Sequence, residues 1–213
     1  MSAPIPARIR MTSAQRRAQL IEVGLALFAE KGIEGTSVEE IAASAGVSKP
    51  LIYEHFGGKE GLYAVVVDRE MRALLQLISE SLLQGSPRVK AENAALAFLT
   101  YIETRSDGFR ILVLNSPVGG QSGSFATLLS EAASQVEHIF VSELTTRCFD
   151  PQMAPMYAQM LVGMVALTGQ WWLDARLLTR EEVAAHIVNL AWNGLVGLES
   201  NPKLSRNSSG KKS

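Results

Sequence analysis

Residues 37–56, Ser-Val-Glu-Glu-Ile-Ala-Ala-Ser-Ala-Gly-Val-Ser-Lys-Pro-Leu-Ile-Tyr-Glu-His-Phe, leave this chain few ways to fold. Val38, Ile41, Ala42 and Ala45 recur at helical spacing and share one face. Ser37 stands where a helix is capped, and Glu40 three residues on completes a capping box. Gly46 follows where the chain must turn, because a residue without a side-chain carbon enters the left-handed region freely. Ser48 is a second N-cap, and Pro50 falls in the first turn, where its missing N–H costs nothing. Ile52 and Phe56, four apart, point back at the first helix. Lys49, Pro50, Leu51, Tyr53 and His55 are left on or near the outer face. A short, rigidly held helix displaying such residues from its N-terminal half is what reading a DNA major groove requires. Taken alone, the pattern also fits an ordinary helical hairpin in an all-α core, so the flanks must decide.

Residues 12–31 read as a supporting helix with Leu20, Ile21, Gly24, Leu25, Leu27 and Phe28 on its inner side. After Phe56, Gly-Gly-Lys-Glu-Gly-Leu-Tyr starts a long fourth helix. The run from Arg17 to Tyr63 resembles the TetR family of bacterial transcriptional regulators. Leu27-Phe28-Ala29-Glu30-Lys31-Gly32, Thr36-Ser37-Val38-Glu39-Glu40-Ile41-Ala42, Ala45-Gly46-Val47-Ser48-Lys49, Ile52-Tyr53-Glu54-His55-Phe56 and Lys59-Glu60-Gly61-Leu62-Tyr63 carry the resemblance, each at the family's spacing.

A net charge of −1 looks wrong for a DNA binder, but the distribution matters more than the sum. Residues 1–20 hold Arg8, Arg10, Arg16 and Arg17 with no acid, and residues 203–213 hold Lys203, Arg206, Lys211 and Lys212 with none. The 182 residues between them carry 12 basic and 21 acidic groups. A flexible basic arm, residues 1–9, can reach phosphates or a minor groove, or can simply be a solvated tail. A flexible tail over 201–213 reads as solvated. No apolar run approaches the ~20 residues of a membrane span. A single cysteine, Cys148, excludes an intrachain disulfide framework and suits the cytoplasm. The histidines His55, His138 and His186 are scattered, and no nucleophile elbow or phosphate loop is present, so no catalytic residue, metal site or cofactor is expected.

Beyond the head, periodicity predicts helices nearly everywhere: residues 59–84, 87–104, a short one with Phe109 and Leu112, 125–147, 155–175 and 180–198. The whole is an all-α chain of about nine helices. A three-helix helix-turn-helix domain over residues 10–56 precedes a helical ligand-binding and dimerisation domain over 57–200. Residues 155–175 are apolar nearly all round, and such a helix must be covered on every side. Residues 180–198 open with a second capping box, Thr179 to Glu182. A four-helix contact between two copies, through residues 155–198, buries both helices; a monomer with both in its own core is the alternative. The resemblance implies the dimer. Two heads spaced about 34–36 Å would read a palindromic double-stranded operator.

Lys49 is the first candidate for a base or phosphate contact, since lysine pairs well with guanine. Tyr53 can set its ring on a sugar or thymine methyl, and His55 can reach phosphate or serve as a helix-end hydrogen bond. Lys59 can share a phosphate with free N–H groups at the start of the fourth helix, and Thr36 or Ser37 can do the same at the start of the second. Ser48 and Pro50 complete the contact surface. Leu51 replaces the polar residue frequent in relatives, so operator sequence does not carry over. The resemblance further implies a ligand cavity among helices four to eight. Its candidate lining is Phe98, Tyr101, Leu112, Asn115, Phe125, Phe140, Met160, Met164 and Trp171. Plain core is the other reading of each. A mostly apolar lining suits a small apolar effector, and the pattern of the last two helices resembles an actinobacterial subgroup responsive to long-chain acyl-CoA. The chain thus reads as a ligand-released dimeric repressor; activation, or constitutive DNA binding without a ligand, are the alternatives.

Overall fold

The computed structural model describes residues 11–114, 125–146, 149–199 and 202. The basic arm, Asn115, Cys148 and, residue 202 aside, the C-terminal tail lie outside the described residues. The described residues form nine α-helices and one 3-10 turn, with no strand among them. They are α1 (Ser13–Gly35), α2 (Val38–Ala45), α3 (Lys49–Phe56), α4 (Lys59–Ser81), α5 (Pro87–Thr104), α6 (Ser106–Leu114), α7 (Phe125–Thr146), α8 (Ala154–Ala175) and α9 (Arg180–Val196). None is long and apolar enough to cross a membrane.

They fall into two compact units. The first takes residues 11–72 and 107–114, and the second residues 73–106, 125–146 and 149–199; the division falls inside α4.

In the first unit, Thr12 caps α1 reciprocally with Gln15. The helix runs past the expected residue 31 to Gly35, with non-helical backbone at Gly32 (φ 70°). Leu20, Phe28, Ile41, Ile52, Leu62 and Val66 are fully buried, and Phe28 meets Tyr63 edge-on at 5.3 Å between centroids. Burial of this kind stabilises by about 1.5–3 kcal/mol per large side chain. α6 adds Phe109, Ile111 and Leu112 to the buried residues of this unit.

In the second unit, α9 packs along α5, and α7 packs along α8. Val183, Ala184, Ile187 and Val188 form the buried stripe of α9. Gly169 permits the close approach of α8 to α5: a side-chain carbon there would stand 2.3 Å from Phe98 Cε1. Trp172 is buried, donates from Nε1 to the Leu178 carbonyl at 2.9 Å, and lies under the Arg176 guanidinium. Thr179 and Glu182 form the reciprocal cap predicted for α9.

Candidate nucleic-acid interface and effector cavity

The turn between α2 and α3 is built as its residues dictate. Gly46 adopts φ 63°, ψ 40°, and closes α2 by donating to the Ala42 and Ala43 carbonyls. Val47 N–H also donates to the Ala42 carbonyl at 3.0 Å. Gln19 of α1 donates to the Ala45 carbonyl at 3.2 Å, tying α1 to the same turn. Ile52 is the buried anchor of α3, which leaves Lys49, Pro50 and Tyr53 exposed and Leu51 and His55 half-buried. Beyond the helix, Gly61 passes so close to Phe56 that a side-chain carbon would stand 1.8 Å from the Phe56 carbonyl oxygen.

Several expected roles need correction. Ser37 accepts from Glu40 N–H at 3.1 Å, but the reciprocal half of the capping box is missing because the Glu40 carboxylate pairs with Lys31. That partner raises the Lys31 ammonium above its ordinary value. Ser48 holds the N-cap position of α3 with no side-chain cap bond. Thr36 is 2% exposed, and its hydroxyl donates to the Gly32 carbonyl at 2.8 Å, so its side chain is unavailable to a phosphate. Lys59 donates to the Ile33 and Thr36 carbonyls at 3.0 and 3.3 Å. It therefore ties the α1–α2 connection to the start of α4 instead of standing free for DNA. Phe56, expected in the core, is half-buried, and the Arg17 guanidinium lies 5.2 Å from its ring centroid. Arg17 thus belongs beside the end of α3, a placement that its membership of a basic run did not disclose.

Lys49 remains outward but bonds Glu39 of α2 at 2.6 Å. That hydrogen bond holds the Glu39 carboxyl below the ordinary carboxylate range. Glu34, Glu39, Tyr53, Lys59 and Glu60 line one open groove beside the start of α2.

The second unit holds a partly open cavity of about 320 Å³, within the range typical of ligand sites. Its wall is drawn from α4, α5, α7, α8 and α9 and the residues beside them, including Leu74, Ile78, Ala94, Val136, Leu161, Ile187 and Trp192. Of the candidates, Phe98 and Phe140 line it. Tyr101 is buried outside the lining, and Leu112 is buried in the first unit. Met164 is half-buried and off the wall. Met160 and Trp171, at 59% and 51% exposure, lie on the outside of α8. Asn115 is outside the described residues, as is the side chain of Phe125. The unexpected wall is α9, which supplies Ile187, Val188, Ala191, Trp192, Leu195 and Val196. Among the described residues Lys90 is the one charged residue lining the cavity, and its ammonium has no hydrogen-bond or ion-pair partner there.

Comparison with known proteins matches the chain in two stretches. Residues 20–66 match the family model of bacterial regulatory proteins of the tetR family, and residues 81–206 match the tetracyclin repressor-like C-terminal domain. The chain is 30% identical over 193 residues to the HTH-type transcriptional activator FasR of Mycolicibacterium smegmatis, covering 87% of this chain and 85% of that protein. It is 36% identical over 72 residues, 34% of this chain and 33% of the other, to the HTH-type transcriptional repressor KstR2 of Rhodococcus jostii. A TetR-like transcriptional regulator from Rhodococcus sp. RHA1 superposes with a TM-score of 0.71 at 23% identity, over 89% of this chain and all of that one. The fatty acid degradation regulator FadR from Bacillus halodurans superposes at 0.69 and 15% identity, over 91% and 98% of the two chains, a likeness of fold alone. The chain belongs to the TetR family of bacterial transcriptional regulators.

Proposed function

We propose that this regulator is a cytoplasmic homodimeric repressor that binds a palindromic operator through residues about 10–56 and is released by a small, mostly apolar effector held in residues about 57–200. The apolar cavity is the observation that carries the reading. Its wall offers hydrocarbon on nearly every side, and its charged lining residue, Lys90, has an ammonium with no partner among the described residues. A ligand that satisfies both needs an apolar chain and an anionic group, which a long-chain acyl-CoA has.

α4 runs from Leu62 and Val66, buried in the first unit, to Leu74 and Ile78 on the cavity wall. An effector that moves this one helix can therefore alter DNA binding, provided it binds the released state better by several kcal/mol. Dimerisation is supported by the outer face of α8, where Met156, Met160, Leu167 and Trp171 are all exposed at helical spacing, with Leu190 exposed on α9. Exposed apolar patches of this kind mark association surfaces, and a two-fold contact covers the same patch on both copies.

The decisive experiment is fluorescence anisotropy on the chain's own upstream DNA, with and without palmitoyl-CoA. Sequence-selective, salt-sensitive binding that collapses with the ligand supports the proposal. Binding indifferent to palmitoyl-CoA removes that effector. Similarity to FasR, named an activator, favours a second reading in which the bound regulator turns transcription on. A promoter reporter in cells lacking this chain separates the two: repression predicts a rise in expression, activation a fall.

A further inference from the structure

The Lys49–Glu39 pair stands at the start of the recognition helix with an arrangement that resembles the exposed edge of a base pair. Lys49 is the first residue of α3, and its ammonium lies 2.6 Å from Glu39 Oε1. Both side chains are more than half exposed, at 54% and 63%. Glu39 is the only side chain that Lys49 bonds among the described residues. The other two lysines of residues 20–66 are used internally, Lys31 by Glu40 and Lys59 by two carbonyls. Over the same span there are seven glutamates against three lysines, so general attraction to phosphate is weak here.

In the major groove a G·C pair shows guanine O6, an acceptor, beside cytosine N4, a donor. These two atoms are hydrogen-bonded to each other and therefore stand about 2.9 Å apart. An ammonium and a carboxylate oxygen 2.6 Å apart match that spacing with complementary polarity. We propose that Lys49 and Glu39 read one G·C base pair per half-site as a unit, Lys49 donating to guanine O6 and N7 and Glu39 accepting from cytosine N4. The pair does not have to open, so neither charge is left unpartnered as it docks.

A reversed C·G or A·T pair sets the ammonium against an amino group and the carboxylate against a carbonyl. A T·A pair keeps the polarity but replaces N7 with a methyl group, which accepts nothing. The preference order is G·C, then T·A, then the two reversed pairs. Glu39 is thereby a specificity-determining residue. This inference rests on the assignment of α3 as the reading helix.

The test is parallel selection from one randomised duplex pool with the wild type, Lys49→Ala, Glu39→Gln and Glu39→Asp, with thermal melts confirming that each variant folds. The wild type should enrich G·C at one position per half-site, favouring it over C·G by about tenfold or more. Lys49→Ala should lose preference at that position. Glu39→Gln, whose amide can donate or accept, should tolerate the reversed pair there about tenfold better while other positions hold. Glu39→Asp should keep the polarity preference in weakened form. Identical enrichment by wild type and Glu39→Gln overturns the inference. So does a uniform gain in affinity for all duplexes with Glu39→Gln, which would make Glu39 a mere source of repulsion. If the wild type enriches no sequence at all, the assignment of the reading helix fails first.

Discussion

The two units of this molecule solve opposite problems. The head is filled: at Gly61 a side-chain carbon would stand 1.8 Å from the Phe56 carbonyl oxygen, and the three lysines of residues 20–66 each have a bonded partner. The second unit leaves about 320 Å³ of partly open apolar space and exposes Met160, Leu167 and Trp171 on α8. A surface that must meet base edges to a fraction of an ångström needs a rigid mount, whereas the proposed effector needs room that it can occupy. One chain can hold both because close packing stabilises locally, where it occurs.

Truncating the same residue type in each unit tests this most severely. Phe28→Ala should cost about 3–5 kcal/mol, because the ring is fully enclosed. Phe140→Ala removes a ring that already borders a void and should cost about 1–3 kcal/mol. Chemical denaturation of both variants, read by helical circular dichroism, decides the matter, and equal losses would mean that the second unit is as tightly packed as the head. Enlarging an alanine should reverse the sign. Ala45→Leu overpacks the head and should cost about 1–3 kcal/mol. Ala191→Leu grows into the cavity and should gain about 1–2 kcal/mol in stability while abolishing the proposed effector response. Destabilisation by both would indicate that the cavity has no free volume on its α9 side.

Surface changes should move function more than stability. Tyr53→Ala removes a 55% exposed ring from the reading face. Operator affinity should fall about tenfold, ~1.4 kcal/mol, with melting temperature and dimer mass unchanged. The smallest effects concern caps. Thr179→Ala breaks a made cap and should cost about 1 kcal/mol, whereas Ser48→Ala removes a hydroxyl that caps nothing and should stay within about 0.5 kcal/mol. The Thr179 cap also carries a pH signature. Its backbone N–H, foremost, and its hydroxyl hold the Glu182 carboxyl below its ordinary value. A depressed carboxyl contributes stability above its unfolded pKa and loses it as pH falls through the folded one. The difference between wild type and Thr179→Ala in thermal melts should therefore narrow below about pH 4.

Residue spacing made the head legible. Helix existence, the Gly46 turn and the buried positions Ile41, Ala42 and Ile52 depend on neighbours within one or two turns, which a linear pattern records. The same pattern misjudged Thr36 and Lys59, which look like free surface groups until carbonyls 4 and 26 residues away claim them. It also placed Met160 and Trp171 in the ligand wall and left α9 out of it. An apolar residue on an all-round apolar helix carries no local mark of which neighbour it faces.

By itself, the sequence determined that the described residues are all-helical, that residues 37–56 form a helix-turn-helix, and that an uncovered apolar surface remains near the C-terminal end. These follow from periodicity, capping and composition, which act over a few residues. Only the tertiary structure decided which polar groups were already used, that Lys49 stands beside Glu39, and that α9 walls the cavity. Hydrogen-bond satisfaction and enclosed volume are set by groups brought together from distant parts of the chain. No local pattern encodes them, because the atoms that decide them become neighbours only on folding.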